Sequence, residues 1–82
     1  MPKKDLLLIL EDNDFNAEML LNRYKKYFEI IIHKNLEDFL KDFHAHRLSN
    51  PPLIIDNNVP RYNTSSLPIP NIGYEFLHLE LL

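Results

Sequence analysis

The chain has 82 residues, which allows one small domain with a limited core. Its hydrophobic fraction of 45% is ordinary for a globular protein, and a net charge of −3 offers no basic surface for nucleic acid or an anionic membrane. The absence of cysteine excludes disulfides and thiolate metal sites and fits a reducing cytoplasm. No apolar stretch approaches a membrane span, and the short apolar run after Met1-Pro2-Lys3-Lys4-Asp5 has no small-residue cleavage site after it, so a signal peptide is not expected.

Asp5 to Leu10 reads as a first strand. The run Leu6-Leu7-Leu8-Ile9-Leu10 is continuously apolar, as in parallel strands buried on both faces, and it stops at Glu11-Asp12-Asn13-Asp14. Asn13 or Asp14 is a good N-cap for a helix. The apolar positions Phe15, Met19, Leu20, Tyr24 and Tyr27 follow at helical spacing, and Arg23, Lys25 and Lys26 suit its C-terminal end. Ile30-Ile31-Ile32 predicts a short, buried second strand.

Asn35 predicts the start of a second helix, with Asp38 completing an imperfect capping box. Leu36, Phe39, Leu40 and Phe43 form its buried stripe, which fades near His46 or Leu48. Ser49-Asn50-Pro51-Pro52 breaks the chain before a third strand, Leu53-Ile54-Ile55, which again ends at a carboxylate, Asp56. The β-α-β-α-β alternation favours a parallel sheet with right-handed crossovers. Ligand chemistry in such sheets sits beyond the carboxyl ends of the strands. If the first and third strands are neighbours, Glu11, Asp12 and Asp56 converge there. Three carboxylates together repel one another and call for a cation, and a hard oxygen donor set suits Mg²⁺.

Leu8-Ile9-Leu10-Glu11-Asp12-Asn13, Leu53-Ile54-Ile55-Asp56-Asn57-Asn58-Val59-Pro60 and Gly73-Tyr74-Glu75-Phe76-Leu77 together resemble a response-regulator receiver domain of the CheY-like type. They match its first strand and acid pair, its third strand with phosphoacceptor and following proline, and the start of its third helix. The resemblance implies an α/β, partial flavodoxin-like fold of one domain over residues 1–82. Its strand order would be 2-1-3 with flanking helices, without the family's last two strand–helix units. It further implies that Asp56 accepts a phosphoryl group. Mg²⁺ would be held by Glu11, Asp12, Asp56 and the backbone carbonyl of Asn58.

The implied role is that of a cytoplasmic two-component receiver supplied by a histidine kinase or phosphotransfer protein, not an enzyme beyond its own phosphorylation. The alternative is a degenerate receiver acting as an interaction module without phosphotransfer. A Mg²⁺-dependent phosphohydrolase is a weaker reading, because position 58 is Asn and supplies no general acid. The family's Ser or Thr and its Lys, which follow later strands, have no counterpart here. An unpaired third-strand edge is an aggregation hazard, so a homodimer through that edge or the C-terminal segment is expected.

The chain departs from the family after Pro60, where Arg61 to Ile72 intervene before the glycine. Arg61, Thr64, Ser65 and Ser66 are candidate phosphoryl contacts in that loop. Tyr74 to Leu82 fits a helix face through Phe76, Leu77 and Leu81 and a strand through Leu77, Leu79 and Leu81; the resemblance favours helix. His44 and His46, two apart, point away from each other on a helix and make no ligand pair; His33 and His78 are lone residues.

Overall fold

The computed structural model describes residues 4–65 and 67–81. Three parallel strands, β1 (Asp5–Leu10), β2 (Phe28–His33) and β3 (Leu53–Ile55), form one sheet in the order β2-β1-β3. Helices α1 (Asp14–Tyr24) and α2 (Leu36–Ala45) make the crossovers. This is a partial flavodoxin-like topology: the alternation of elements implied the parallel sheet, and the resemblance implied the order.

β1 has a neighbour on each side, and its last four residues are buried; Leu8, Ile9 and Leu10 are 0% exposed. β2 is an edge strand, and its isoleucines are only half-buried, not the buried strand that their composition suggests. A composition rich in β-branched residues marks a strand, but whether it lies inside or at the edge depends on its pairing. Register decides where the site lies. Leu10 pairs with both His33 and Ile55, so the three strands end level.

The main core lies on the α2 side of the sheet. Leu8 and Leu10 meet Leu36, Phe39 and Phe43 of α2, together with Val59, Ile72 and Phe76. The helix starts as its sequence dictates. Asn35 caps it by accepting from the Asp38 N–H (2.8 Å), and its amide donates to the Asp38 carboxylate (3.0 Å). α1 lies against β2, on the opposite face if both crossovers are right-handed.

Asn13 caps α1 through the Asn16 N–H at 3.0 Å. Only part of the stripe expected to be buried on α1 packs. Ala17 is buried and Leu20 and Tyr24 half-buried, whereas Phe15 is 72% and Met19 56% exposed. Tyr27 lies beyond the helix, in the turn into β2, and is also exposed. The small Ala17 lets the helix backbone approach the sheet, which places Phe15 and Met19 on the far side at 100° per residue.

After β3 the chain forms two further short strands. β4 (Asn58–Val59) pairs antiparallel with β5 (Ile69–Pro70), a ribbon within what the sequence presents as loop. The Pro68-Ile69-Pro70 stretch hides it, because proline usually signals a break. The C-terminal stretch is helical, as the resemblance favoured. α3 (Ile72–Phe76) continues into a π-helical turn, Leu77–Leu81. Leu82 and the side chains of Leu79 and Leu81 lie outside the described residues. Phe76 packs edge-to-face on Phe39 (5.3 Å between centroids) and Phe43 (5.2 Å), and so anchors α3 to α2.

Candidate phosphoryl and metal site

The level strand ends carry the acidic residues. The Glu11 N–H donates to the His33 carbonyl (2.9 Å), and the Asp56 N–H donates to the Leu10 carbonyl (2.8 Å). These bonds extend the ladder one residue past β1 and β3 and hold both backbones at the carboxyl edge. There Glu11, Asp12 and Asp56 each offer a carboxylate oxygen, all within 4.8 Å of one another. The structure thus brings together the three side chains on which the sequence converged. Asn58 stands two residues after Asp56, and its N–H closes the turn by donating to Asp56 Oδ1 (3.2 Å).

Glu11 is buried, and its Oε2 has no hydrogen-bond partner. Burial pushes its carboxyl up from 4.5 to about 7; a hydrogen bond to Asp56 and the charge of Asp56 add to this, the charge of Asp12 adds less, and Asn16 opposes it. A carboxylate is costly to bury without a partner. Three hard oxygen donors around such a group fit a small divalent cation such as Mg²⁺.

Asn57 was not singled out by the sequence, yet it ties the acidic turn to α3. Its side-chain oxygen accepts from the Tyr74 N–H (3.0 Å), its amide donates to Asn71 (3.1 Å), and its carbonyl accepts from the Ile72 N–H (3.1 Å). The adjacent asparagines after Asp56 were the available signal, since Asn commonly satisfies backbone groups in turns. Gly73 makes this approach possible. A Cβ there would lie 3.0 Å from Asn57 Oδ1 and 3.2 Å from its Cα, and also 3.1 Å from the Ile55 side chain. Gly73→Ala is therefore expected to destabilise the protein by about 1–3 kcal/mol, measured by denaturant unfolding; an unchanged midpoint would contradict this packing.

The segment after Pro60 folds over the first turn of α2. The Pro60 and Arg61 carbonyls accept from the Leu36 and Glu37 N–H groups (2.9 Å each). The Asn63 N–H donates to Glu37 (2.9 Å), and its amide donates to Asp38 (3.3 Å). Asp38, held below its ordinary value chiefly by Asn35, stays ionised. Arg61 turns to α3 and pairs with Glu75 at 2.6 Å, which removes it as a phosphoryl contact in this arrangement. Thr64 is exposed, Ser65 Oγ accepts from the Leu67 N–H (3.2 Å), and Ser66 lies outside the described residues. A cavity of about 550 Å³ lies between this segment and the β2–α2 turn, and Asp12, Lys34 and Ser65 are among its walls.

His33, His44 and His46 have protein partners instead of a common ligand. His33 bonds Asp42 at 2.7 Å, His46 bonds the Asp42 carbonyl at 3.0 Å, and His44 faces Glu80 at 3.2 Å. No helix among the described residues is long and apolar enough to cross a membrane. No protein-family model matches the chain, and no curated protein or solved structure compared with it does. What the fold and geometry establish is a compact α/β domain with a sheet of order 2-1-3 and a tri-acidic cluster at its carboxyl edge, consistent with a receiver-type domain.

Proposed function

We propose that this domain is a two-component receiver in which Asp56 accepts a phosphoryl group with Mg²⁺ bound beside it. The observation that carries this reading is the buried, unpartnered Glu11 Oε2 within a cluster that includes Asp12 and Asp56, at the edge where such sheets do chemistry. Glu11, Asp12, Asp56 and the Asn58 carbonyl would hold the ion. When bound, it supplies positive charge to the phosphoryl oxygens.

The chain's own residues do the rest. The Asp56 N–H bond to Leu10 fixes the backbone of the nucleophile, and the Asn58 N–H orients its carboxylate. An Asp56 oxygen forms the new bond to phosphorus as the donor's bond to phosphorus breaks, and the leaving group keeps that electron pair. The donor would be a histidine kinase or phosphotransfer protein. The domain is not an enzyme beyond this self-modification.

β3 has a strand neighbour only on the β1 side among the described residues, and Tyr74 and Leu77 are exposed nearby on α3 and the turn after it. That open edge supports a homodimer and the second reading, an interaction module that keeps the acidic cluster without phosphotransfer.

Intact mass after incubation with acetyl phosphate and Mg²⁺ separates the two. The receiver reading expects one phosphoryl adduct, lost in Asp56→Asn. A folded wild-type protein that binds Mg²⁺ and gains no adduct would leave the interaction module. Sedimentation at micromolar concentration tests the dimer, and a monomer would remove it.

A further inference from the structure

Resting on the receiver reading for a metal beside Asp56, we infer that Asn57 is a positioning residue. Through it the peptide unit between Asn57 and Asn58 joins the Asp56 carboxylate to α3, so that Mg²⁺ binding at the acidic cluster and the ordering of α3 are coupled. The carbonyl of that unit accepts from the Ile72 N–H (3.1 Å), and its N–H, on Asn58, donates to Asp56 Oδ1 (3.2 Å). A peptide unit is planar, so its C=O and N–H turn together. A rotation that frees Asp56 Oδ1 also takes the carbonyl away from Ile72.

The start of α3 is what holds this plane. The Asn57 side chain accepts from the Tyr74 N–H (3.0 Å) and donates to Asn71 Oδ1 (3.1 Å). Asn71 stands at the N-cap position of α3 in the left-handed conformation (φ 65°), and its own side chain makes no capping bond. Asn57 supplies that cap from across the turn. Gly73 leaves no slack between them, since a Cβ there would lie 3.0 Å from Asn57 Oδ1.

The far side of α3 is anchored in the core. Ile72 is 0% and Phe76 1% exposed, and both pack with Val59, Phe39 and Phe43. The Ile72 N–H is therefore held by the core, and the Asp56 turn is held by Ile72 and Tyr74 through Asn57. Arg61 also reaches α3, through Glu75, but it comes from the segment after Pro60 and not from the acidic turn.

This arrangement bears on the carboxylate. Asp56 must face Glu11 and Asp12 to share a cation with them, and the Asn58 N–H keeps one of its oxygens oriented while the plane stays fixed. Without the Asn57 side chain, the unit keeps only its carbonyl bond to α3 and can pivot about it. Part of the binding free energy would then go into ordering the turn. By linkage, whatever orders the turn also orders α3.

The test is Mg²⁺ titration of the whole chain by calorimetry, with hydrogen exchange of the Ile72 amide followed by NMR. In the wild type, saturating Mg²⁺ is expected to slow exchange at Ile72 about fivefold, the low end of the range for coupled sites. Asn57→Ala leaves the Ile72 acceptor in place. It should nevertheless lose that gain and bind Mg²⁺ about fivefold more weakly, because coupling acts in both directions. An Asn57 that only caps α3 would lower stability and change neither quantity. The wild-type measurement needs no variant to fold. A wild type that binds Mg²⁺ with no change at Ile72 would overturn the role of Asn57 and leave the receiver reading standing. So would a folded Asn57→Ala protein with the wild-type affinity or the wild-type gain at Ile72. A folded wild type that binds no Mg²⁺ would overturn both.

Discussion

In chelator, the wild-type protein is expected to lose stability as pH rises from about 5 to about 8, and Glu11→Gln to remove that loss. The carboxyl of Glu11 is raised to about 7 in the fold from an ordinary 4.5. Between those values the native state binds more protons than the unfolded chain. Its contribution is fully present below the unfolded value and lost as pH rises through the folded one. The loss is on the order of 3 kcal/mol, against a total of about 4–12 kcal/mol for a domain of this length.

The physical cause is the ionisation of a buried group whose Oε2 has no partner and which sits beside two more carboxylates. Mg²⁺ should reverse the loss at high pH and do little at low pH, because binding requires the ionised form. At a hundredfold excess over Kd it would add about 2.7 kcal/mol. Glu11→Gln should be flatter with pH and weakly responsive to Mg²⁺. The informative quantity is the difference between the two proteins in urea melts, because the substitution changes Glu11 alone. Parallel curves for wild type and variant, with or without metal, would show that Glu11 is neither strained by burial nor a ligand.

The second large effect lies in the core. Phe76→Ala should cost about 3–5 kcal/mol, enough to unfold much of the population at room temperature if total stability lies toward the lower end of its range. Phe76 is 1% exposed and stands edge-on to Phe39 and Phe43, so its removal opens a cavity between α2 and α3 and loses two aromatic contacts. Phe15→Ala, at a residue 72% exposed, should change stability by no more than about 0.5 kcal/mol. Thermal melts and tertiary circular dichroism of the two variants compare them directly. Equal losses would mean that α1 packs through the stripe its sequence suggests.

Local signals in the sequence fix the structure where the physics is local. The apolar run Leu6 to Leu10, the breaker before Leu53, and Asn13 and Asn35 as caps all act through neighbouring residues. The parallel sheet followed from the alternation of elements and the meeting of Glu11, Asp12 and Asp56 from two strands ending at carboxylates, with the family resemblance supplying the order. Less was legible where partners are distant. The spacing of Phe15 and Met19 is helical, but which face meets the sheet depends on how closely Ala17 lets α1 approach. The β4–β5 ribbon pairs Asn58–Val59 with Ile69–Pro70, and its second strand lies within the Pro68-Ile69-Pro70 stretch, which reads locally as a break.

The sequence by itself determined β1, β2 and β3, the starts of α1 and α2 and the chemical character of the site, because caps, turns and apolar runs are short-range choices. Only the tertiary structure decided which carboxylate is buried with one oxygen unpartnered, that Arg61 belongs to Glu75, that Asn57 ties the acidic turn to α3, and that Lys34 shares a cavity with Asp12. Those outcomes depend on strand register and on how the segment after Pro60 folds back over α2, through contacts between residues far apart in the chain.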